Sequence, residues 1–273
     1  MPQAIDQEAQ ERLNTEPLHD LQSEPDHRAL KIDKVGIRGL QMPITVRNRH
    51  QEDSPTVGTF DAFVDLPADV KGTHMSRFVE ILQSRSEPFS VENLGSILEA
   101  IRNRLEAHSA YLSLEFPYFL QKEAPVTKQP SPMNYQVRLH AQLTPQGSQL
   151  TQEISVPVKT LCPCSKSISK YGAHNQRGIV TVKVRSAETI WPEELINIVE
   201  KSGSSELYAL LKRPDEKFVT EKAYENPVFV EDLVRNVVTK LKSDQRIEWY
   251  EVEAENQESI HNHNAYAQII STG

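Results

Sequence analysis

Two blocks of this chain carry the same succession of hydrophobic periods, and that repetition restricts the fold more than any single residue does. In the first block Phe60, Ala62, Val64 and Leu66 recur at every second position, the period of a strand with one buried face. Met75, Phe78, Val79 and Leu82 then recur at helical spacing, and Ser90 is the expected N-cap of a second helix carrying Leu94, Ile97, Leu98, Ile101 and Leu105. Alternation returns in Ala110, Leu112, Leu114 and Phe116 and again from Tyr135 to Leu143. Pro125, Pro130 and Pro132 predict a long loop between those two strands. The second block repeats the plan. Ile154, Val156 and Val158 alternate, as do Val180, Val182 and Val184. Pro192 opens a helix with Leu195, Ile198 and Val199, a further helix carries Val230, Leu233, Val234, Val237 and Leu241, and strands close the chain near 246–254 and 265–271. The expected organisation is a polar tail over 1–30, a first unit over 31–147 and a second over 148–273, joined near Pro145-Gln146-Gly147-Ser148. Adjacent strands with short turns favour antiparallel sheets with helices layered on one face, an α+β arrangement. Such sheets leave edges and an uncovered face that an oligomer would cover.

Composition excludes several functions. The formal charge of -8, from 38 acidic and 30 basic residues, disfavours a nucleic-acid binder with a broad basic surface. It leaves room for a small basic pocket that takes an anionic metabolite. No run approaches the roughly 18 apolar residues of a membrane span. The acidic, polar N-terminus does not resemble a signal peptide, and two cysteines are too few for a disulfide framework, so the expected compartment is the cytoplasm.

Both cysteines, Cys162 and Cys164, stand two positions apart in Leu161–Gly178, with His174 ten residues beyond the second. Thiolate and neutral imidazole are the usual ligands of zinc and similar divalent ions, but these three do not complete a site. One cysteine can ligate while the other supports the site or acts as a redox partner, and the spacing does not separate them. His261-Asn262-His263 places two imidazoles on the same side if the segment is extended, which suits metal ligation or proton transfer near neutral pH. Lys71-Gly72-Thr73-His74-Met75-Ser76-Arg77 lies between a strand and a helix. Backbone N–H groups there, with Lys71 and Arg77, suit a phosphate, although Thr73 as an ordinary cap explains the segment equally well. It is no P-loop. Glu216 falls in a predicted loop, Arg213–Lys217, and Glu231 near a helix start, where an acid also complements the dipole.

Taken together, KGTHMSRF (71–78), LCPCSKSISKYGAHNQRG (161–178), RPDEK (213–217), ENPVFVEDLVR (225–235) and SIHNHN (259–264) resemble GTP cyclohydrolase I of type B, the prokaryotic enzyme family of folate biosynthesis. The resemblance implies a tunnelling fold (T-fold) of two tandem ββααββ-like units, and a homotetramer with active sites at subunit interfaces. The implied reaction turns GTP and water into 7,8-dihydroneopterin triphosphate and formate. By position, Cys162, His174 and Glu216 match the metal ligands, His261 and His263 the acid–base histidines, and Glu231 the acid that anchors the purine or pterin ring. Cys164 matches a cysteine near the site, and Lys71, His74 and Arg77 are candidate triphosphate contacts. The mixed S, N, O ligand set suits Zn²⁺, Mn²⁺ or Fe²⁺. Two other readings compete: the T-fold nitrile reductase of queuosine biosynthesis, with a cysteine nucleophile, and a structural zinc module closed by Cys162, Cys164, His261 and His263. The ligand count separates them, since a hydrolase needs three protein ligands and a place for water.

Overall fold

The computed structural model describes residues 19–271; of the expected tail, residues 1–18 lie outside this range. In chain order the elements are β1 (Ile32–Arg47), β2 (Asp53–Leu66), α1 (Met75–Gln83), α2 (Leu94–Arg104), β3 (Ala110–Glu123) and β4 (Pro130–Thr144). There follow β5 (Gly147–Leu161), α3 (Pro163–Ile168), β6 (Asn175–Ser186), α4 (Pro192–Glu200), the short β7 (Ser205–Glu206), α5 (Arg213–Glu225), α6 (Val230–Lys242), β8 (Ile247–Asn256) and β9 (Ala265–Ile270). The architecture is the expected α+β T-fold: strands, two helices and strands in the first block, and in the second the same plan enlarged by α3 between β5 and β6 and by α5 beside α4 and α6. All strand pairs are antiparallel in one sheet of order β1-β2-β3-β4-β5-β6-β8-β9, with β7 attached to β5. The Pro145-Gln146 junction is a tight turn, Thr144 pairing with Gly147, so the sheet passes unbroken from one block to the other.

The strand periods build the core. Phe60, Ala62, Val64, Leu112, Leu114, Val137, Leu139, Ile154, Val156, Val180, Val182 and Val252 project from one face and are all but inaccessible. Against them pack the stripes Phe78 and Leu82 of α1, Ile97, Leu98 and Ile101 of α2, Leu195 and Val199 of α4, and Leu233, Val237 and Leu241 of α6. Each such side chain contributes about 1.5–3 kcal/mol by leaving water. The opposite face is polar: Arg138 bridges Glu115 and Glu153, and Lys183 pairs with Glu251 at 3.1 Å.

Several local expectations are corrected. The Pro-rich segment is no long loop: β3 runs to Glu123 and β4 begins at Pro130, so the turn is only 124–129. Pairing of β4 with β5 starts at Gln136, which leaves Pro130 and Pro132 on a locally free edge where a missing N–H costs no ladder bond. Arg213–Lys217 is the first turn of α5, not a loop. Pro214 fits that turn, and Asp215 accepts the Lys212 N–H at 2.9 Å. Helix α2 starts from Asn93 rather than Ser90, whose hydroxyl instead accepts the Glu92 N–H in the preceding turn at 3.3 Å. Thr73 does not cap α1; His74 holds that position without a side-chain bond. Strand β1 leaves no apolar period because most of its residues are exposed or half-exposed at the sheet edge, and Gly39, at φ 73°, marks an irregularity in its register.

Candidate functional site

The cysteine segment is an excursion between β5 and β6 that is fastened at its neck. The Cys162 N–H donates to the His174 carbonyl at 3.1 Å. The Ser165 hydroxyl donates to the Cys162 carbonyl at 3.3 Å and accepts the His174 N–H at 3.1 Å. Cys162 is the N-cap of α3, Pro163 occupies the first turn, and the Cys162 sulfur accepts the Ser165 N–H at 3.4 Å. The start of α6 is tied to the same place, because the Val228 N–H donates to the Leu161 carbonyl at 3.0 Å. That bond sets Phe229, Val230 and Glu231 beside Cys162.

These elements enclose a cleft of about 250 Å³ lined by Cys162, His174, Gln176, Glu231, Glu258, His261 and His263, among others. The two loop imidazoles stack with centroids 5.1 Å apart and planes 14° from parallel. Five residues singled out in the sequence therefore share one cleft: Cys162, His174, Glu231, His261 and His263. The others do not line it. Cys164 is exposed on α3. Glu216 is exposed on the first turn of α5, and among the described residues no group of three or more His, Cys, Asp or Glu side chains is disposed to hold a metal. Lys71 pairs with Glu24 at 2.6 Å and His74 with Asp20 at 3.2 Å, so the β2–α1 segment meets residues 20–24 rather than this cleft. Arg77 lies on α1, also away from the cleft.

The floor of the cleft was not foreseen. Along β5, β6 and β8 the inward positions are mainly apolar, buried Gln152 excepted, until the strands end, where they become Thr160, Gln176 and Asn256, all buried. Thr160 pairs with Gln176 in the ladder, and Gly178 with Asn256. Gln176 Nε2 donates to Thr160 Oγ1 at 2.9 Å, and its Oε1 lies 3.0 Å from His174 Nδ1. Glu258 Oε2 lies 3.5 Å from the same Nδ1 and, like Asn256 Oδ1, is buried without a hydrogen-bond partner. The signal was present in the sequence: Gln176 and Gly178 share the parity of Val180 and Val182, and Asn256 that of Val252 and Ala254. Polar residues at inward parity mark a site or a satisfied network.

As a metal centre the single chain supplies two donors, a sulfur and a nitrogen. His174 Nδ1 faces oxygen acceptors, which leaves Nε2 for the cleft, as in histidine ligands steadied from behind by a carboxylate or carbonyl. The donor chemistry fits a divalent transition ion, with its remaining ligands yet to be supplied.

The chain matches the family model described as type I GTP cyclohydrolase folE2 over residues 18–267. It is 50% identical over 253 residues to the GTP cyclohydrolase FolE2 of Magnetococcus marinus, covering 93% of this chain and 96% of that one. It is 51% identical over 250 residues to the GTP cyclohydrolase FolE2 of Paraburkholderia xenovorans, covering 92% and 93%. Among solved structures, uricase from Arthrobacter globiformis superposes with a TM-score of 0.51 at 7% identity, covering 88% of this chain and 94% of that chain, a likeness of fold alone. These findings lend no support to the nitrile reductase or the structural zinc module. Among the described residues no helix is long and apolar enough to cross a membrane.

Proposed function

The chain belongs to the type I GTP cyclohydrolase FolE2 family, and from that premise we propose that the Cys162–His174–Glu231–His261–His263 cleft is where GTP is opened to 7,8-dihydroneopterin triphosphate and formate, in folate biosynthesis. The observation that carries this reading is the convergence of a thiol, three imidazoles and an acid from three separate segments on one cleft.

Each residue has a chemical task. The Glu231 carboxylate accepts two N–H groups from the guanine edge and so fixes the ring. His261 and His263, nearly parallel and exposed at the mouth, exchange protons with the ring nitrogens and the departing formyl group, steps suited to imidazole, which can both donate and accept a proton. Cys162 and His174 hold a divalent ion, Mn²⁺, Zn²⁺ or Fe²⁺, which when bound supplies the Lewis acidity that makes water a usable nucleophile near pH 7. The cleft falls below the ~300–1,000 Å³ of sites for drug-sized ligands, so it receives the base while the triphosphate extends beyond it.

A homotetramer with shared sites accounts for what one chain leaves out. Glu216, exposed on α5, is the third metal ligand and comes from a second copy; Lys71, His74 and Arg77 of a second copy receive the triphosphate. Cys164, two residues from the ligating thiol, acts beside the site in the chemistry. Ile168 and Tyr171 in the cysteine excursion and Ile260 beside His261 are 80%, 89% and 63% exposed, the kind of apolar surface that a partner covers. Mixing is the test. Cys162→Ala and Glu216→Ala proteins, each inactive alone, are dissociated and reassembled together, then assayed with GTP and Mn²⁺ for formate and for oxidised pterin fluorescence. Recovered activity supports sites shared between chains. Activity from either variant alone, or none from metal-loaded wild type, defeats the assignment.

A further inference from the structure

We propose that Gln176 is a positioning residue that selects the tautomer of His174, holding the proton on Nδ1 and presenting the Nε2 lone pair to the metal. This inference rests on the metal reading above and adds a residue to it. Gln176 does not point at solvent. It stands at an inward position of β6, is 8% exposed, and is gripped from both sides: Nε2 against the hydroxyl of fully buried Thr160 at 2.9 Å, and Oε1 against His174 Nδ1 at 3.0 Å.

A side-chain amide has two orientations, and Thr160 alone does not choose between them, because a hydroxyl both donates and accepts. Glu258 chooses. Its Oε2 is buried, has no hydrogen-bond partner, and lies 3.5 Å from the same Nδ1. With the amide turned over, Nδ1 would accept from Gln176 and turn a bare lone pair toward the carboxylate. With the amide as found, one Nδ1–H faces two oxygens, Gln176 Oε1 and Glu258 Oε2. A buried acceptor left without a donor costs free energy, so the second arrangement prevails. Thr160, Gln176 and His174 then form a directed chain from the core to the cleft. The backbone fixes both ends of it: Thr160 and Gln176 are ladder partners, and His174 is bonded through its carbonyl to Cys162. The imidazole cannot turn its other nitrogen to the cleft without breaking this chain.

The tautomer can be read in the metal-free protein. Histidine labelled with ¹⁵N is observed by long-range ¹H–¹⁵N correlation at about pH 8, where an ordinary imidazole is neutral, and the His174 signal is identified by its loss in His174→Ala. Wild type is expected to carry the proton on Nδ1. Gln176→Met, close in length but without an acceptor, is expected to mix the tautomers. It should also weaken Mn²⁺ and Zn²⁺ binding by about 10–100-fold, measured by chelator competition. Gln176→Glu, which keeps an oxygen against Nδ1, is expected to restore both readouts. Thr160→Val, isosteric and gentler on folding, removes the hydroxyl that anchors the amide against His174 and should give a partial loss. A wild-type His174 protonated on Nε2 overturns the proposal. So does metal affinity within about twofold of wild type in both Gln176→Met and Thr160→Val. Undiminished metal binding by His174→Ala would instead defeat the underlying metal assignment, so the two failures are distinct.

Discussion

Gly178 sits where β6 faces Asn256 on β8, and a β-carbon added there would fall 2.4 Å from Asn256 Oδ1, with Val158 Cγ2 at 3.7 Å. No real contact is that short, so in Gly178→Ala the Asn256 side chain must give way. It is 2% exposed and has little room, so it either leaves its rotamer, at about 0.5–1.5 kcal/mol, or strains its surroundings, at about 1–3 kcal/mol. The substitution also has a favourable part, since glycine inside a strand is worse than alanine by roughly 0.5–1 kcal/mol. The expected net loss is about 1–2 kcal/mol, read as a lower urea midpoint at unchanged slope. Removing the obstructing group changes the sign: in an Asn256→Ala background, Gly178→Ala should be neutral or stabilising. The double-mutant cycle should therefore return a coupling of about 2 kcal/mol. Because Asn256 lines the cleft, Gly178→Ala should also lower kcat/KM. Additive effects of the two substitutions, or a Gly178→Ala protein as stable as wild type, would refute the reasoning.

Three further outcomes follow from the site and its supports. Cys162→Ala should abolish tight metal binding while Cys164→Ala retains it, as measured by metal content after gel filtration. Glu231→Gln loses one of two charge-assisted acceptors, each worth about 1.5–3 kcal/mol, and should lower kcat/KM for GTP by about tenfold or more. Asp215 is buried and accepts from Val126 N–H, Thr127 N–H, Thr127 hydroxyl and Lys212 N–H. Burial alone would raise its pKa, but the Thr127 hydroxyl and the backbone donors outweigh it and hold the carboxyl below the ordinary carboxylate range. A depressed folded-state pKa means stability that is present in full above the unfolded value, near pH 4, and lost as pH falls through the folded one. The stability gap between wild type and Asp215→Asn should accordingly be widest near neutrality and narrow below pH 4 in acid unfolding curves.

The legible part of this chain was its hydrophobic periodicity, because a buried strand face or helix stripe leaves a period in the sequence. Leu233, Val234, Val237 and Leu241 announced α6, and Val180, Val182 and Val184 announced β6. What failed to show was structure decided by neighbours. Pro130 and Pro132 are tolerated in β4 only because β5 does not reach them, and α5 carries a weak apolar stripe whose start is fixed by Asp215 gripping the β3–β4 turn. In the cleft, Cys162, His174, Glu231 and the histidine pair were visible as residue types suited to chemistry. Gln176 and Asn256 carried only the weaker signal of inward parity with Val180 and Val252, and Glu258, beyond the end of β8, carried none.

The ladder between β6 and β8 also bears on the order in which this chain folds. Most neighbouring strands close over short turns, but β6 meets β8 only after residues 187–246 have been gathered in. Closing that span costs about 3 kcal/mol more chain entropy than a two-residue turn. The hairpins β1–β2, β3–β4 and β4–β5 are therefore the local, rapidly formed contacts, and the cleft, with its floor on β5, β6 and β8, is completed late. A nascent chain would hold Cys162 and His174 close together across the neck of their excursion before Glu231 and the His261–His263 loop arrive, so on the proposed reading one chain's two metal donors come together before the residues that would hold the purine.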